Sequence, residues 1–180
     1  MAISIDELKF RDLTIAAIKN CVNLEELKVI GNPNCKKGLK SKTFHLFLDA
    51  LGSLANLQKL SLQLSIEKTA TDFTSDWSNV IGQTKLRFFE FQSQPKQDEK
   101  FLAEALEAFQ ESPHLKEIVL TFSSEDGSEE TRPRLFERLT SLLKKKEGLS
   151  KVVYHGSDIL VEAVAVPFLK ALQKHSPTLK

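Results

Sequence analysis

Hydrophobic residues recur along this chain at two spacings that alternate. Five short segments follow the pattern L-x-x-L-x-L, with any large apolar residue allowed at each L. They are Leu24/Leu27/Val29, Leu57/Leu60/Leu62, Leu86/Phe89/Phe91, Leu115/Ile118/Leu120 and Leu149/Val152/Tyr154. The alternation that ends each segment predicts a short strand with one buried face. The first leucines are 29–34 residues apart, and Leu179 begins a further copy. A period of this length indicates a solenoid of stacked repeats.

The segments between the predicted strands have helical periodicity. Apolar stripes spaced three and four residues apart are Phe44/Phe47/Leu48/Leu51/Leu54, Phe101/Leu102/Ala105/Leu106/Phe109, Leu135/Phe136/Leu139/Leu142/Leu143 and Leu160/Val164/Phe168/Leu172. Residues 71–83 are more polar and predict a shorter helix. Gly82 and Gly148 are expected at helix C-terminal caps, and Thr131 at a helix start. Strands alternating with helices predict a parallel sheet with helical crossovers.

This pattern resembles the leucine-rich-repeat family, in its longer, ribonuclease-inhibitor-like type with a helix in every repeat. The strongest matches are residues 23–29 (Asn-Leu-Glu-Glu-Leu-Lys-Val) and 56–62 (Asn-Leu-Gln-Lys-Leu-Ser-Leu). The resemblance implies an α/β solenoid, or horseshoe, with short parallel strands on the concave face and helices on the convex face. We interpret residues 1–180 as one leucine-rich-repeat domain of five to six repeats.

The repeats diverge from the family at one position. The family places Asn or Cys three residues after the last strand leucine, and Asn32 matches this in the first full repeat. Later repeats carry Ser65, Gln94, Ser123 and Ser157 there instead. The asparagine ladder that would tie successive turns together is therefore mostly absent.

Composition and charge narrow the function. The chain is 41% hydrophobic and 27% charged, which is typical of a globular protein, and its formal charge of +1 gives no argument for nucleic acid or a membrane. The first ten residues lack a secretory signal, so we expect a cytoplasmic or otherwise intracellular protein. Cys21 and Cys35 cannot form a disulfide framework, and Cys21 is expected to be a small buried residue.

Catalytic chemistry has no positive support in the sequence. The four histidines are scattered along the chain. The sequence contains no zinc-ligand spacing, no phosphate loop and no nucleophile elbow. We therefore predict no catalytic residue, no metal and no cofactor, and interpret the chain as not an enzyme. The basic run Lys144-Lys145-Lys146 is expected to end a helix, where positive charge is favourable.

The concave face is the expected binding surface. If Leu27 and Val29 face the core, their neighbours face outward. The predicted protein-binding residues are Lys28, Ile30, Lys59, Ser61, Phe88, Glu90, Glu117, Val119, Lys151, Val153 and His155. Glu26, Gln63, Gln92 and Thr121 share this face. An opening strand within residues 3–10, with Ile5, Leu8 and Phe10 on the core side, would add Glu7, Lys9 and Arg11.

Phe88, Val119 and Val153 are predicted to form an exposed apolar patch ringed by Glu90, Glu117 and Lys151, the anatomy of a binding hot spot. The alternative is that a loop covers this patch, for example the acidic segment 123–130. Loops 63–73 and 123–131 could also contribute to binding. Residues 63–83 are expected to be the weakest element, because they bury little apolar area.

Neither end of the repeat array shows a polar cap. We expect either a piece of a longer repeat protein or a subunit whose neighbour covers residues 150–180, and we expect the isolated chain to be marginally soluble or to self-associate. The predicted function is a non-catalytic protein–protein interaction scaffold, as a subunit or recognition module of a larger assembly. The alternative is a substrate-recognition or regulatory component of an enzyme system, of the ubiquitin-ligase-receptor or GTPase-regulator type. The sequence does not identify the partner.

Overall fold

The computed structural model describes residues 2–5, 12–31, 38–64, 66–67, 72–93, 100–122, 131–155 and 162–175. Strands and helices alternate strictly along these ranges. The elements are β1 (Ala2–Ile5), α1 (Asp12–Asn20), β2 (Glu26–Gly31), α2 (Ser41–Gly52), β3 (Lys59–Gln63), α3 (Thr74–Gln83), β4 (Phe88–Gln92), α4 (Lys100–Phe109), β5 (Glu117–Thr121), α5 (Thr131–Lys145), β6 (Lys151–His155) and α6 (Glu162–His175).

The strands form one parallel sheet in the order of the sequence, β1 to β6. Core positions align from strand to strand, so that Leu60 lies opposite both Leu27 and Phe89. Consecutive helices pack side by side over the apolar face of the sheet. The predicted α/β solenoid is confirmed: short parallel strands line the concave face, which is the sheet face turned away from the helices, and the helices form the convex face.

Backbone hydrogen bonds fix the stacking at the start of each strand. The N–H groups of Gln58 and Lys59 both donate to the carbonyl oxygen of Glu25, at 2.8 and 3.0 Å. The next three turns repeat this arrangement with the carbonyl oxygens of Gln58, Arg87 and Lys116 as acceptors. Since each turn donates two bonds to the turn before it, the strand register is set independently of any asparagine ladder.

Aromatic side chains connect the repeats through the core. Phe44 contacts Phe73, Trp77 and Phe101 with ring centroids 4.9–6.2 Å apart. Edge contacts of this kind stabilise the fold beyond the area that they bury. The same network continues through Phe91, Phe122, Tyr154, Phe136 and Phe168, and so extends from α2 to α6. Ten of the twelve phenylalanines of the chain are buried in this core, whereas Phe88 faces away from it.

The expectation that residues 63–83 bury little apolar area is wrong. Leu64, Phe73, Trp77 and Val80 are each no more than 1% exposed. Gly38 supports the same region from the repeat before, because a Cβ atom on it would lie 2.5 Å from the backbone carbon of Ile66. Only glycine permits this close approach, next to the bridge between Leu39 and Ile66.

The first repeat differs from its prediction in two ways. β1 spans Ala2–Ile5, and Ile3 lies opposite Val29, the position that the prediction gave to Phe10. The predicted register of this strand is therefore wrong, and Leu8 and Phe10 themselves lie outside the described residues. Helix α1 was not predicted; it buries Ile15 and Ile18 against the core. Glu7, Lys9 and Arg11 lie outside the described residues, as do Asn32, Cys35, Ser65, Gln94, Ser123, Ser157 and the segment 123–130.

Three smaller predictions are corrected or confirmed by local geometry. Gly82 lies inside the last turn of α3, and Gly148 lies three residues beyond α5; neither has the left-handed backbone of a glycine cap. Cys21 is half-buried rather than buried. The basic run does end a helix, as predicted, because Lys144 and Lys145 occupy the last turn of α5.

The last repeat is better packed than predicted. Phe168 is 7% exposed and contacts the ring of Phe136 at 5.3 Å, so it belongs to the core rather than to an exposed face. Among the side chains of α6 that the structure describes, the large apolar ones that are exposed are Val166 and Leu169. Among the described residues, no helix combines the length and the apolar character needed to cross a bilayer.

Glu104 is a buried acid that joins two repeats. Its carboxylate accepts a hydrogen bond from the backbone N–H of Phe73 at 3.0 Å, where α3 begins. Lys100 lies 3.5 Å from the other carboxylate oxygen. Burial raises the pKa of Glu104 above its usual value, and the two partners offset this effect only in part. The buried carboxylate therefore binds the start of α3, and its contribution to the free energy of unfolding depends on pH.

The free energy of unfolding of the Glu104→Gln variant, relative to that of the original protein, is expected to increase as pH rises. A raised folded-state pKa means that the contribution of Glu104 is fully present below its unfolded pKa and is lost as pH rises through the folded value. Urea denaturation at about pH 4 and about pH 7 should show the difference in free energy of unfolding, Glu104→Gln minus the original protein, increasing with pH.

Two further variants make this test specific. Glu104→Ala leaves the buried N–H of Phe73 without its acceptor, which should cost about 1–3 kcal/mol at either pH. Glu137→Gln, on the exposed face of α5, is the matched control for removing a carboxylate. If Glu104→Gln is equally destabilising at both pH values, burial of the charged carboxylate is not a cost in this fold.

Candidate functional site

The eleven predicted binding residues all lie on the concave face. Each alternates along its strand with a residue that faces the core, as in β4, where Phe88 and Glu90 alternate with the fully buried Phe89 and Phe91. Lys28, Lys59, Lys151 and His155 are exposed; Ile30, Ser61, Phe88, Glu90, Glu117, Val119 and Val153 are half-buried. Strand pairing brings them together in rows that run across the sheet. Whether they bind a partner stays a prediction.

Phe88 occupies the centre of the first row. Lys59 lies opposite Phe88 on one side and Glu117 on the other. Glu26 lies beyond Lys59, and Lys151 lies beyond Glu117. The row therefore reads acid, base, aromatic, acid, base across five strands. Phe88 is the only apolar member of the row.

Ion pairs order the charges on both sides of Phe88. The ammonium of Lys59 lies 2.5 Å from the carboxylate of Glu26, and that of Lys151 lies 4.0 Å from Glu117. Hydrogen bonding to Lys59 lowers the pKa of Glu26, and the same contact raises the pKa of Lys59. The pair of Lys59 and Glu26 thus stays charged around neutral pH, and both ion pairs are directed along the row.

The second row corrects the predicted apolar patch. Val119 lies directly opposite Val153, so these two side chains do form a continuous apolar surface. The direct neighbour of Val119 in β4 is Glu90, whereas Phe88 pairs with Glu117. Phe88 is therefore diagonal to Val119, at a distance that only large side chains span. The surface contains an aromatic centre and a separate valine pair, rather than one patch of three.

The remaining predicted residues extend the surface at its edges. Lys28 lies opposite Ser61, which lies opposite Glu90, and Ile30 lies opposite Gln63 at the β2 side. His155 lies opposite Thr121 at the β6 side. Across the face, Lys28, Lys59 and Lys151 match Glu26, Glu90 and Glu117 in number, so its formal charge is zero apart from His155. Bulk charge cannot select a partner here.

On the convex face, ion pairs connect neighbouring helices. Lys19 of α1 pairs with Asp49 of α2 at 2.5 Å, and Arg138 of α5 pairs with Glu107 of α4 at 3.1 Å. The imidazole of His45 lies 2.7 Å from the carboxylate of Asp76 and contacts the ring of Phe73 in a tilted arrangement, with the centroids 4.6 Å apart. These contacts cross from one repeat to the next, which is a structural role. The sequence does not predict them, because they depend on which helix faces align.

Metal binding finds no support in the described part of the chain. No three His, Cys, Asp or Glu residues there are grouped so that they could hold an ion. His45 and Asp76 form a pair without a third ligand-type residue.

Comparison with known proteins supports the fold. The structure is similar to the tropomodulin C-terminal domain of Caenorhabditis elegans, with a TM-score of 0.56 over 91% of this chain and 93% of that one, at 14% sequence identity. At this identity the likeness shows the fold alone, a leucine-rich-repeat type of solenoid. No protein-family model matches the sequence, and no curated protein matches it.

Proposed function

We propose that this chain is a non-catalytic protein-interaction module that binds a protein partner through its concave face. The observation that carries the proposal is Phe88, a half-exposed aromatic side chain held at the centre of the sheet between two ion pairs. Aromatic anchors surrounded by polar contacts account for much of the affinity in protein interfaces. A core role for Phe88 is unnecessary, since Phe89 and Phe91 fill the core from the same strand.

The rigidity of the surface supports this assignment. The residues around Phe88 lie on paired strands, and the backbone hydrogen bonds at the start of these strands are 2.8–3.2 Å long in the four turns from β2 to β6. The charged neighbours are oriented by contacts with one another, so fewer side-chain rotamers are lost when a partner binds. The surface suits a partner that places an apolar pocket over Phe88 and opposite charges over its neighbours. The module would work as a subunit or recognition part of a larger assembly.

Phe88→Ala is expected to weaken partner binding by about 2 kcal/mol, or about 30-fold in Kd, because it removes the aromatic anchor. The matched control is Leu46→Ala, which truncates another partly exposed apolar side chain, on the convex face. Partners captured from a native lysate by the immobilised protein are to be purified and their Kd measured for each variant. Equal affinities for Phe88→Ala and the original protein, or a loss with Leu46→Ala alone, would place the binding surface elsewhere.

A further inference from the structure

One rim of the solenoid is strongly basic although the chain as a whole is nearly neutral. This rim consists of the segments that lead from α3, α4 and α5 into the next strand, together with the last two residues of α5, and so covers residues 84–87, 110–116 and 144–150. Six basic and two acidic residues lie there, against a formal charge of +1 for the whole chain. The basic residues are Lys85, Arg87, Lys116, Lys144, Lys145 and Lys146, which we name the basic rim.

Two of these cations occupy the same position in adjacent turns. Arg87 immediately precedes β4 and Lys116 immediately precedes β5, and the N–H of Lys116 donates to the carbonyl oxygen of Arg87 at 2.8 Å. Both side chains are exposed. Neighbouring strands are about 4.8 Å apart, so two positive charges lie side by side. Like charges in direct cross-strand positions destabilise a sheet.

Lys146 brings a third cation to the same place. Its ammonium donates a hydrogen bond to the carbonyl oxygen of Ser112, which fixes it against the preceding turn. Partial burial lowers the pKa of Lys146, and the charge of Lys116 lowers it further, while Glu111 acts in the opposite direction. Lys116 therefore has a positive neighbour in the turn before it and another in the turn after it.

At other places in the described part of the molecule, neighbouring charges on adjacent strands or helices are opposite in sign. Between adjacent strands Lys59 pairs with Glu26 and Lys151 with Glu117, and between adjacent helices Lys19 pairs with Asp49. Among the described residues, neither Arg87 nor Lys116 has an ion-pair partner. The fold alone gives no reason for the adjacent like charges of Arg87 and Lys116, whereas an anionic partner would convert their repulsion into attraction.

We propose that the basic rim binds an acidic segment of a protein. Glu111 and Glu147 are interspersed with the cations and exposed. They would repel a phosphate backbone, whose charges lie in the backbone itself, whereas the flexible side chains of an acidic polypeptide can turn their carboxylates away from them. The three segments of the rim also contain no Phe, Tyr or Trp on which nucleic acid bases could stack. This site is distinct from the Phe88 surface and does not depend on it.

The test uses a fluorescein-labelled deca-glutamate peptide and fluorescence anisotropy at low salt with the full chain. The double variant Arg87→Glu/Lys116→Glu is expected to weaken peptide binding by at least about tenfold. The matched control, Lys42→Glu/Arg134→Glu, makes the same charge change at exposed positions of α2 and α5 and should weaken binding by less than about threefold. Circular dichroism checks that both variants are folded.

Three outcomes would overturn the proposal: no binding by the original protein, equal weakening by both double variants, or tighter binding of a labelled ten-nucleotide oligothymidine than of the peptide. Phe88→Ala should bind the peptide as the original protein does. The experiment therefore distinguishes a failure of the basic-rim proposal from a failure of the proposed concave binding surface.

Discussion

Replacing Trp77 by alanine is expected to lower the free energy of unfolding by about 3–5 kcal/mol. The side chain is fully buried and contacts the rings of Phe44, Phe89 and Phe109 at centroid distances of 5.7–6.2 Å. These contacts join α2, α3, β4 and α4, so the cavity left by alanine would lie where three repeats meet. Urea denaturation followed by circular dichroism measures the effect.

Two control variants show whether packing is the cause. Among the described residues, the indole N–H of Trp77 has no hydrogen-bond partner, so Trp77→Phe removes an unsatisfied donor along with part of the ring. It should cost less than half as much as alanine. Asn79→Ala, on the exposed side of the same helix, should change the free energy of unfolding by no more than about 0.5 kcal/mol. A cost below about 1 kcal/mol for Trp77→Ala would mean that residues 72–83 do not contribute to the core.

The adjacent residues Phe88 and Phe89 are expected to respond in opposite ways. Phe89→Ala should cost about 3–5 kcal/mol of stability, because Phe89 is fully buried against Trp77 and Phe109. Leu86→Ala, at the preceding core position, should cost about 2–5 kcal/mol. Phe88→Ala should cost less than about 1 kcal/mol, because Phe88 faces away from the core.

Chemical denaturation of the three variants under identical conditions makes the comparison. The strand register predicts that Phe88→Ala is by far the mildest of them. If Phe88→Ala unfolds the protein while Phe89→Ala is tolerated, the two faces of β4 are exchanged, which is the consequence of a shift by one residue.

The strand register could be predicted from the sequence because two constraints agree. Leu27 and Val29, or Phe89 and Phe91, can reach the core together only if the residues between them face outward. The 29–34-residue spacing then aligns equivalent positions of successive repeats, and the structure pairs Leu27 with Leu60 and Leu60 with Phe89 accordingly. Both steps use only the sequence pattern of the repeats and the spacing between them.

The first repeat could not be predicted in the same way. Ile3-Ser4-Ile5 and Leu8-Lys9-Phe10 alternate equally well, so the local pattern does not choose between them. Pairing of Ile3 with Val29 decides the register, and that contact is a property of the fold. Trp77 shows the same limit, since a polar helix gives little sign that one aromatic residue fills a junction between repeats.

For the candidate site, the sequence predicted the face on which the residues lie, but the predicted grouping of the apolar residues on that face was wrong. Alternation placed Phe88, Val119 and Val153 on the concave side. Equivalent positions of successive repeats also place Phe88 between Lys59 and Glu117, but the predicted patch grouped Phe88 with Val119, which occupies a different row. The likeness to a solved repeat domain adds the fold and leaves the partner open.

Photo-cross-linking from the concave face tests the central claim most directly. p-Benzoylphenylalanine is to replace Phe88 in one protein and Leu46 in another, and each is to be irradiated in native lysate. The account predicts a discrete cross-linked protein from position 88 that is absent from position 46, and whose yield falls when unlabelled original protein competes. A discrete, competable cross-link from position 46 with none from position 88 would contradict it, because the convex face would then be the binding surface.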